Sequence, residues 1–282
     1  MHNNRDSSDG LDVTTPNVAR VYDYYLGGDH NYEADREADR RVLGVAPDVP
    51  MAALENRAFL QRAARFLVQE ARIAQYVDIG PGLPTQGNVH QIVRQYDPQA
   101  HVLYADNDPV VLRHGQSLLS DVPGVSIVDG DLRDPEGLLS NPVLRGLINF
   151  DQPVAVCITL ALHFVPDKDD PYGIVARLRD ALCPGSYIVI SHVTTEGRDD
   201  ETLTQITGTY NQATAPLVMR SHDEITRFFD GFELVKPGIV FLSQWRPSSE
   251  SYPEGGTRWA YAGVGKKGKG GIGRRASARR DR

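Results

Sequence analysis

Residues 75–85 read Gln75-Tyr76-Val77-Asp78-Ile79-Gly80-Pro81-Gly82-Leu83-Pro84-Thr85. An apolar run breaks into two glycines just ahead of a stretch with helical spacing at 87–96. A buried strand ending this way lets the backbone approach a ligand closely, and the helix that follows presents free N–H groups. A nicotinamide-dinucleotide fingerprint would place a glycine at 85, where this chain has Thr85. Taken alone, the glycine pair also reads as a tight structural turn.

Downstream, apolar runs at 101–105, 125–128, 153–160 and 186–191 alternate with helical stretches at 109–120, 135–147 and 171–182. With the 75–79 run they predict five strands joined by helical crossovers, hence a parallel sheet covered on both faces. Residues 200–229 read as helical, and 232–242 and 257–264 as an antiparallel pair closing the sheet edge. Upstream, three helices are predicted. Thr15 before Pro16 is the expected N-cap of the first, whose apolar face is Val18, Val21, Tyr22 and Tyr25, and which Gly27-Gly28 ends. The second covers 33–43 and the third 51–72. The expected architecture is an α/β domain at 73–264 under a helical N-terminal cap at 13–72, flanked by disordered ends at 1–12 and 265–282.

The 282 residues carry a net charge of −7, unevenly distributed: 265–282 hold eight basic residues and one acid, the remainder 22 basic and 36 acidic. An acidic body argues against a general nucleic-acid surface, which needs clustered cations. A solvated tail is the plain reading of the basic end, with an RNA or membrane role as its alternative. The longest apolar run, Val154 to Leu162, is far short of the roughly 20 residues of a membrane helix. The N-terminus lacks a secretory pattern. Cys157 and Cys183 are too few for a disulfide framework or a thiolate zinc site. Cytoplasmic localisation is expected.

Three successive predicted strands end in acids. Asp78 closes the first, Asp106 the second, and Asp129-Gly130-Asp131 follows the third. Ligands of open α/β sheets bind at that carboxyl edge. Asp106 is suited to accept both hydroxyls of a ribose, and Asp131 to accept an adenine amino hydrogen. Each acid singly is also an ordinary turn or cap residue. Asp106-Asn107-Asp108 and Asp129-Gly130-Asp131 further match the Asp-x-Asp pair of metal-dependent glycosyl transferases. Asp108-Pro109 reads better as a helix start, and no catalytic metal is expected. Before the fifth strand, Pro184-Gly185 fixes a tight turn.

This order of elements resembles the class I S-adenosylmethionine-dependent methyltransferases. The match is acid-x-Gly-x-Gly at Asp78–Gly82, the acid Asp106, Gly130-Asp131 and Pro184-Gly185. A closer resemblance, to a bacterial methyltransferase family of undefined substrate, lies in Ala19-Arg20-Val21-Tyr22-Asp23-Tyr24-Tyr25-Leu26-Gly27-Gly28. It continues in Asp29-His30-Asn31, Asp78 to Thr85, Tyr104 to Pro109 and Leu162 to Val165, and covers about residues 14–264. In that family Pro84 is normal. The resemblance implies a Rossmann-like seven-stranded sheet and S-adenosylmethionine as cofactor. The expected cofactor set is Arg20, Tyr22, Asp78, Gly80, Gly82, Thr85, Asp106, Asn107, Asp131, Leu132 and Thr159. Arg20 would pair with the methionine carboxylate, and the helix 20–28 would close as a lid. Both Arg20 and Tyr22 also read as ordinary residues of an amphipathic helix.

Methyl transfer from a sulfonium depends mainly on alignment, and a base is needed only when the acceptor must lose a proton. His163, after the fourth strand, is the candidate base; His192 at the end of the fifth is the weaker one. Either also reads as structural. Tyr210, Asn211 and 213–222, with Gln244-Trp245-Arg246, are candidates for the acceptor pocket. The expected partner is a small-molecule methyl acceptor. A non-catalytic protein that senses S-adenosylmethionine is the alternative.

Overall fold

All five residues of β1 (Gln75–Ile79) are buried, as in a parallel strand covered on both faces. The computed structural model describes residues 12–83, 87–247 and 256–269. All of the expected tract at 1–12 except Asp12, and most of the basic end, therefore lie outside the described residues, as does Thr85. The other parallel strands are β2 (His101–Asp106), β3 (Val125–Asp129), β4 (Ala155–Thr159) and β5 (Tyr187–Val193). Three more follow: β6 (Glu233–Leu234), β7 (Val240–Phe241) and β8 (Ala260–Lys266). The order is β3-β2-β1-β4-β5-β8-β6, with β7 also on β8, and β8 runs antiparallel to β5.

The Rossmann-like sheet thus has eight strands where seven were expected. The extra one comes from division of the last position. β6 pairs at Lys266 and Gly265, β7 at Ala262 and Tyr261, both against β8. Between them lies Pro237, which has no N–H for a ladder. The antiparallel pair expected at this edge is present, and β8 is its inner member, inserted between β5 and β6. Its glycines permit this, since a Cβ on Gly263 would stand 2.9 Å from the Phe229 ring and one on Gly265 2.8 Å from Phe232 Cβ.

Crossover helices lie where spacing predicts, with two breaks. The stretch 135–147 divides at Asn141-Pro142 into α6 (Pro135–Ser140) and α7 (Pro142–Leu147). Asn141 is extended before the proline and caps the second piece. The stretch 200–229 divides into α9 (Asp200–Tyr210) and α10 (His222–Thr226), with Pro216 in the gap. The rest are α4 (Val89–Val93), α5 (Pro109–Leu119) and α8 (Pro171–Ala181). Asp108 caps α5 by accepting from Val110 N, as its place before Pro109 predicts.

The N-terminal helices are α1 (Val18–Tyr25), α2 (Glu33–Val45) and α3 (Val49–Gln69). The cap of α1 is Asn17 rather than Thr15: its Oδ1 accepts from Ala19 N at 2.8 Å and Arg20 N at 3.2 Å. Pro16 stays outside the helix. α3 is no peripheral cap. Phe59, Leu60, Ala63, Ala64 and Leu67 are at most 2% exposed and share one core with Tyr76, Val102 and Trp245. The opposite sheet face packs on α6, α7 and α8 through Leu138, Leu144 and Ile174. α1 and α2 instead contribute to the wall of a cavity at the sheet's carboxyl edge.

The fold also runs past the expected boundary at 264. β8 extends to Lys266, and the Lys267 ammonium donates to the carbonyls of Arg179 (2.7 Å) and Leu182 (2.5 Å). These two lysines are structural, not part of a solvated tail. Among the described residues, no helix is long and apolar enough to cross a membrane.

Candidate functional site

Strand order reverses between β1 and β4, which opens a crevice at their carboxyl ends. A cavity of about 430 Å³ lies there, roofed by α1, α2 and the segment after α9. That is within the range of small-molecule sites.

Its sheet-side wall begins with the glycine turn. Gly80 and Gly82 have φ of +68° and +69°, conformations that side chains rarely adopt. A Cβ on Gly80 would lie 2.9 Å from Ala161 Cβ. Nothing stands within 4 Å of that position on Gly82, so its backbone faces open space. Gly82 N donates to Asp106 Oδ2 at 3.2 Å, and Asp108 N to Asp106 Oδ1 at 3.0 Å. Burial raises the Asp106 carboxyl to about 6, against these bonds and with the neighbouring Asp108 carboxylate assisting. Asp131 accepts from Arg133 through both oxygens, and from Asn107 Nδ2 at 3.2 Å through Oδ2. Burial pulls its pKa up, but the Arg133 and Asn107 bonds hold it below the ordinary carboxylate value. A ligand amino group would share that carboxylate.

Asp78 is deeply buried, and its Oδ1 has no hydrogen-bond partner. Burial pushes its carboxyl up to about 7; Arg57 draws it down and Asp106 raises it. Arg57, on α3, faces the same space. Its Nε and Nη2 are buried without hydrogen-bond partners, and its guanidinium lies 5.6 Å from the Tyr22 ring. A cation and an anion, each with unused hydrogen-bonding atoms, stand ready for a zwitterion.

Arg20 does not share this role. It lies outside the cavity lining and is 2% exposed. Its Nε is 2.9 Å from Asp35 Oδ2, and its Nη atoms donate to the carbonyls of Asp12 and Thr15. Helix phase explains the exchange: α1 turns Tyr22 and Tyr25 toward the cavity and Arg20 toward α2. Sequence reasoning missed Arg57 because it sits mid-helix in a segment read only as cap.

Tyr22, Asp78, Gly80, Gly82, Asp106 and Asn107 line the cavity, as do Asp131, Leu132, Thr159 and His163. Tyr24, Asn211 and the Gln244-Trp245-Arg246 run do not. Trp245 is fully buried against Phe59 and Phe66, on the other side of α3's core. His192 is also outside the lining. Its Nε2 is 2.9 Å from Arg220 Nη1 and its Nδ1 2.7 Å from Val193 O. Burial, with Arg220 adding to it against the Val193 bond, lowers His192 to about 3. It is a neutral structural residue.

His163 is 4% exposed, and its Nδ1 has no partner. Burial foremost, then His192 and Arg220, keeps it well below the ordinary histidine value and so neutral. A left-handed Leu160 (φ 49°) turns the chain off β4 to place this segment. Ser191 holds that turn: its carbonyl and hydroxyl oxygens accept from Leu160 N, and its hydroxyl donates to Asn56 Oδ1. Asn56 then donates to the Tyr22 hydroxyl at 3.0 Å, so one buried polar chain joins β4, β5, α3 and α1.

A profile of the S-adenosyl methyltransferase family matches residues 4–268. The chain belongs to this family. A candidate methyltransferase from Thermobifida fusca is 37% identical, with a TM-score of 0.86 over 92% of this chain and 98% of its own. A DUF574 family protein from Streptomyces avermitilis gives the same identity and score over 91% and 99%. The CMeT domain of the citrinin polyketide synthase, at 12% identity and a TM-score of 0.54, shares the fold. No protein among the curated ones matches. Membership of the S-adenosyl methyltransferase family makes the chain an S-adenosylmethionine-dependent methyltransferase and agrees with the sheet, the Gly80–Gly82 turn and the acids at its edge.

Proposed function

We propose that the cavity binds S-adenosylmethionine along the carboxyl ends of β1, β2 and β3 and a small-molecule acceptor beneath α1 and α2. The observation that carries this reading is the facing pair Arg57 and Asp78, with unpartnered buried atoms at the mouth of the glycine turn. They fit the two ends of an amino-acid zwitterion. Asp106 would accept from the ribose hydroxyls, and Asp131 with Leu132 would meet the adenine.

S-adenosylmethionine, when bound, supplies a methyl group already activated on sulfur. The protein's contribution is alignment and exclusion of water. Asn17 helps to seal the site. Its side-chain amide donates to Asp108 in a short hydrogen bond, which ties the start of α1 to the end of β2. Pro16 O accepts from Thr214 N at 3.0 Å, which ties α1 to the segment after α9. His163 Nδ1, buried without a partner, would receive the proton of an acceptor that must lose one.

Calorimetry with S-adenosylhomocysteine tests the cofactor half, and tritiated-methyl transfer from S-adenosylmethionine into a fractionated extract tests the whole. Replacement of Arg57 by Met should weaken S-adenosylhomocysteine binding about tenfold or more, because hydrogen bonds to charged groups contribute roughly 1.5–3 kcal/mol. The same substitution removes buried donors that have no partner in the free protein, so the ligand-free melting temperature should hold or rise. Unchanged affinity would exclude Arg57 from the site.

Raised carboxyls make binding pH-dependent. Between pH about 4 and 7, Asp78 and Asp106 hold protons in the folded state that the unfolded chain has lost. Ligand-free stability therefore falls as pH rises through that window. Ionised Asp106 is the better acceptor for hydroxyls, so S-adenosylhomocysteine should bind more tightly as pH rises from about 5 to 7, then level off. A flat affinity profile would contradict the assignment.

The α1 segment is a proposed lid. Amide protection over 17–31 should rise on addition of S-adenosylhomocysteine while the strands change little. Equal protection with and without ligand would make it permanent core.

A further inference from the structure

The cavity has two chemically different halves. Its charged lining residues are Arg57, Asp78, Asp106, Asp108, Asp131 and Arg133, all at the sheet edge or facing it. Beyond His163 the walls change character. Val42 comes from α2, Val49 from the start of α3, Ile206 from α9, and Leu217 and Met219 from the segment that follows. Four rings join them: Tyr25, Phe164, Tyr210 and Trp259. Phe164 and Tyr210 have centroids 6.0 Å apart, and the hydroxyls of Tyr25 and Tyr210 are 3.5 Å apart. Val218 N donates to His163 O at 2.8 Å, which fixes this wall against the end of β4.

Two polar atoms in this apolar half are unused. His163 Nδ1 and Trp259 Nε1 are both buried without a partner, on side chains 4% and 5% exposed. An unpaired buried polar group is costly unless a ligand or water meets it. Tyr25 and Tyr210 are neutral: burial foremost raises both phenols, Tyr210 to about 12. Nearby Asp39 is fully buried and outside the lining. A charged acceptor would lose its hydration here and find no counter-charge among the described lining residues of this half; the Arg198 guanidinium, 4.0 Å from the Trp259 ring centre, is paired with Asp48.

We infer that the methyl acceptor is an uncharged, flat aromatic molecule with a hydroxyl group, held in the ring-walled half between α2, α9 and β4. Its ring would lie against Phe164, Tyr210 and Trp259, where offset and edge contacts add to simple burial. Its hydroxyl would meet His163 Nδ1, and a second oxygen would accept from Trp259 Nε1. This deepens the proposed function and rests on its placement of S-adenosylmethionine in the charged half.

Calorimetry on the full chain saturated with S-adenosylhomocysteine tests the inference with three probes on one ring frame: neutral 2-naphthol, anionic 2-naphthoate and cationic 2-naphthylmethylammonium. 2-Naphthol should bind at least tenfold more tightly than either charged analogue. His163→Leu should weaken 2-naphthol about fivefold or more, and Trp259→Phe should do the same to 2,7-dihydroxynaphthalene, whose second oxygen can accept from Trp259 Nε1; neither substitution should alter S-adenosylhomocysteine affinity. Should either variant fail to fold, the ranking of the three probes on the native chain decides. A charged probe that equals or surpasses 2-naphthol overturns the inference, as does 2-naphthol affinity that His163→Leu leaves unaltered. S-adenosylhomocysteine binding without 2-naphthol binding defeats the acceptor class alone. No S-adenosylhomocysteine binding defeats the cofactor placement and the acceptor class together.

Discussion

Arg20→Met should destabilise the α1–α2 clasp by about 3–5 kcal/mol, the cost of leaving one partner of a buried ion pair alone. Asp35 is fully buried, and it holds three things at once. It pairs with Arg20, accepts from Asn17 N at 2.8 Å through Oδ1, and accepts from Tyr32 N at 2.8 Å through Oδ2. Tyr32 also lies beneath the Arg20 guanidinium, 5.2 Å from its ring centre. Loss of the cation therefore strands a carboxylate that organises the starts of two helices. The measurable result is a lower melting temperature and rapid amide exchange over 17–45. Cofactor affinity should fall only as far as the roof loosens. A residue that gripped the methionine carboxylate would behave in the opposite way, with a stable protein and a large loss of affinity. That second outcome would restore Arg20 to the cofactor site.

Asp106→Ala carries the other large effect. Asp106 stands at the end of β2, its two oxygens held by the amides of Gly82 and Asp108, in a wall that also presents Asn107. A bidentate acceptor removed from such a site should cost roughly 1.5–3 kcal/mol of S-adenosylhomocysteine binding, about ten- to hundredfold in Kd. The substitution also frees the Gly82 amide, so the glycine turn should loosen and the loss should fall toward the upper end. Asp106→Asn keeps one acceptor and is expected to lie between the two. Retained affinity in Asp106→Ala would remove the ribose from this position.

Much of the frame was legible because its signals are local. β1 and β2 begin where the apolar runs begin, since a strand buried on both faces needs no partner to announce itself. Asp108-Pro109 and Gly27 mark helix ends by backbone chemistry that acts within one turn. The glycine turn and the acids Asp78, Asp106 and Asp131 were visible for the same reason, and the parallel topology carried all of them to one sheet edge. The short strands β6 and β7 were blurred, because two-residue strands exist only through their pairing with β8.

The two arginines show what only the tertiary structure decided. Arg20 and Arg57 are alike in the sequence: each is a cation on a predicted helix of the N-terminal segment. Arg20 carried the family motif and was expected to meet the ligand. The packing of α1 against α2 instead gives it Asp35, while the long α3, laid across the sheet, brings Arg57 over Asp78. A charge finds its partner through space, and which partner is near depends on how helices dock, not on which residues neighbour it in the chain. The same holds for the ring-walled half of the cavity. Val42, His163, Tyr210 and Trp259 come from four separate parts of the chain, and no local pattern marks them as one wall. Sequence alone settled the sheet, the turn and the acids, because backbone preference and burial period act over a few residues. The surroundings of the two arginines and the shape of the ring-walled half came from long-range packing, which no short stretch encodes.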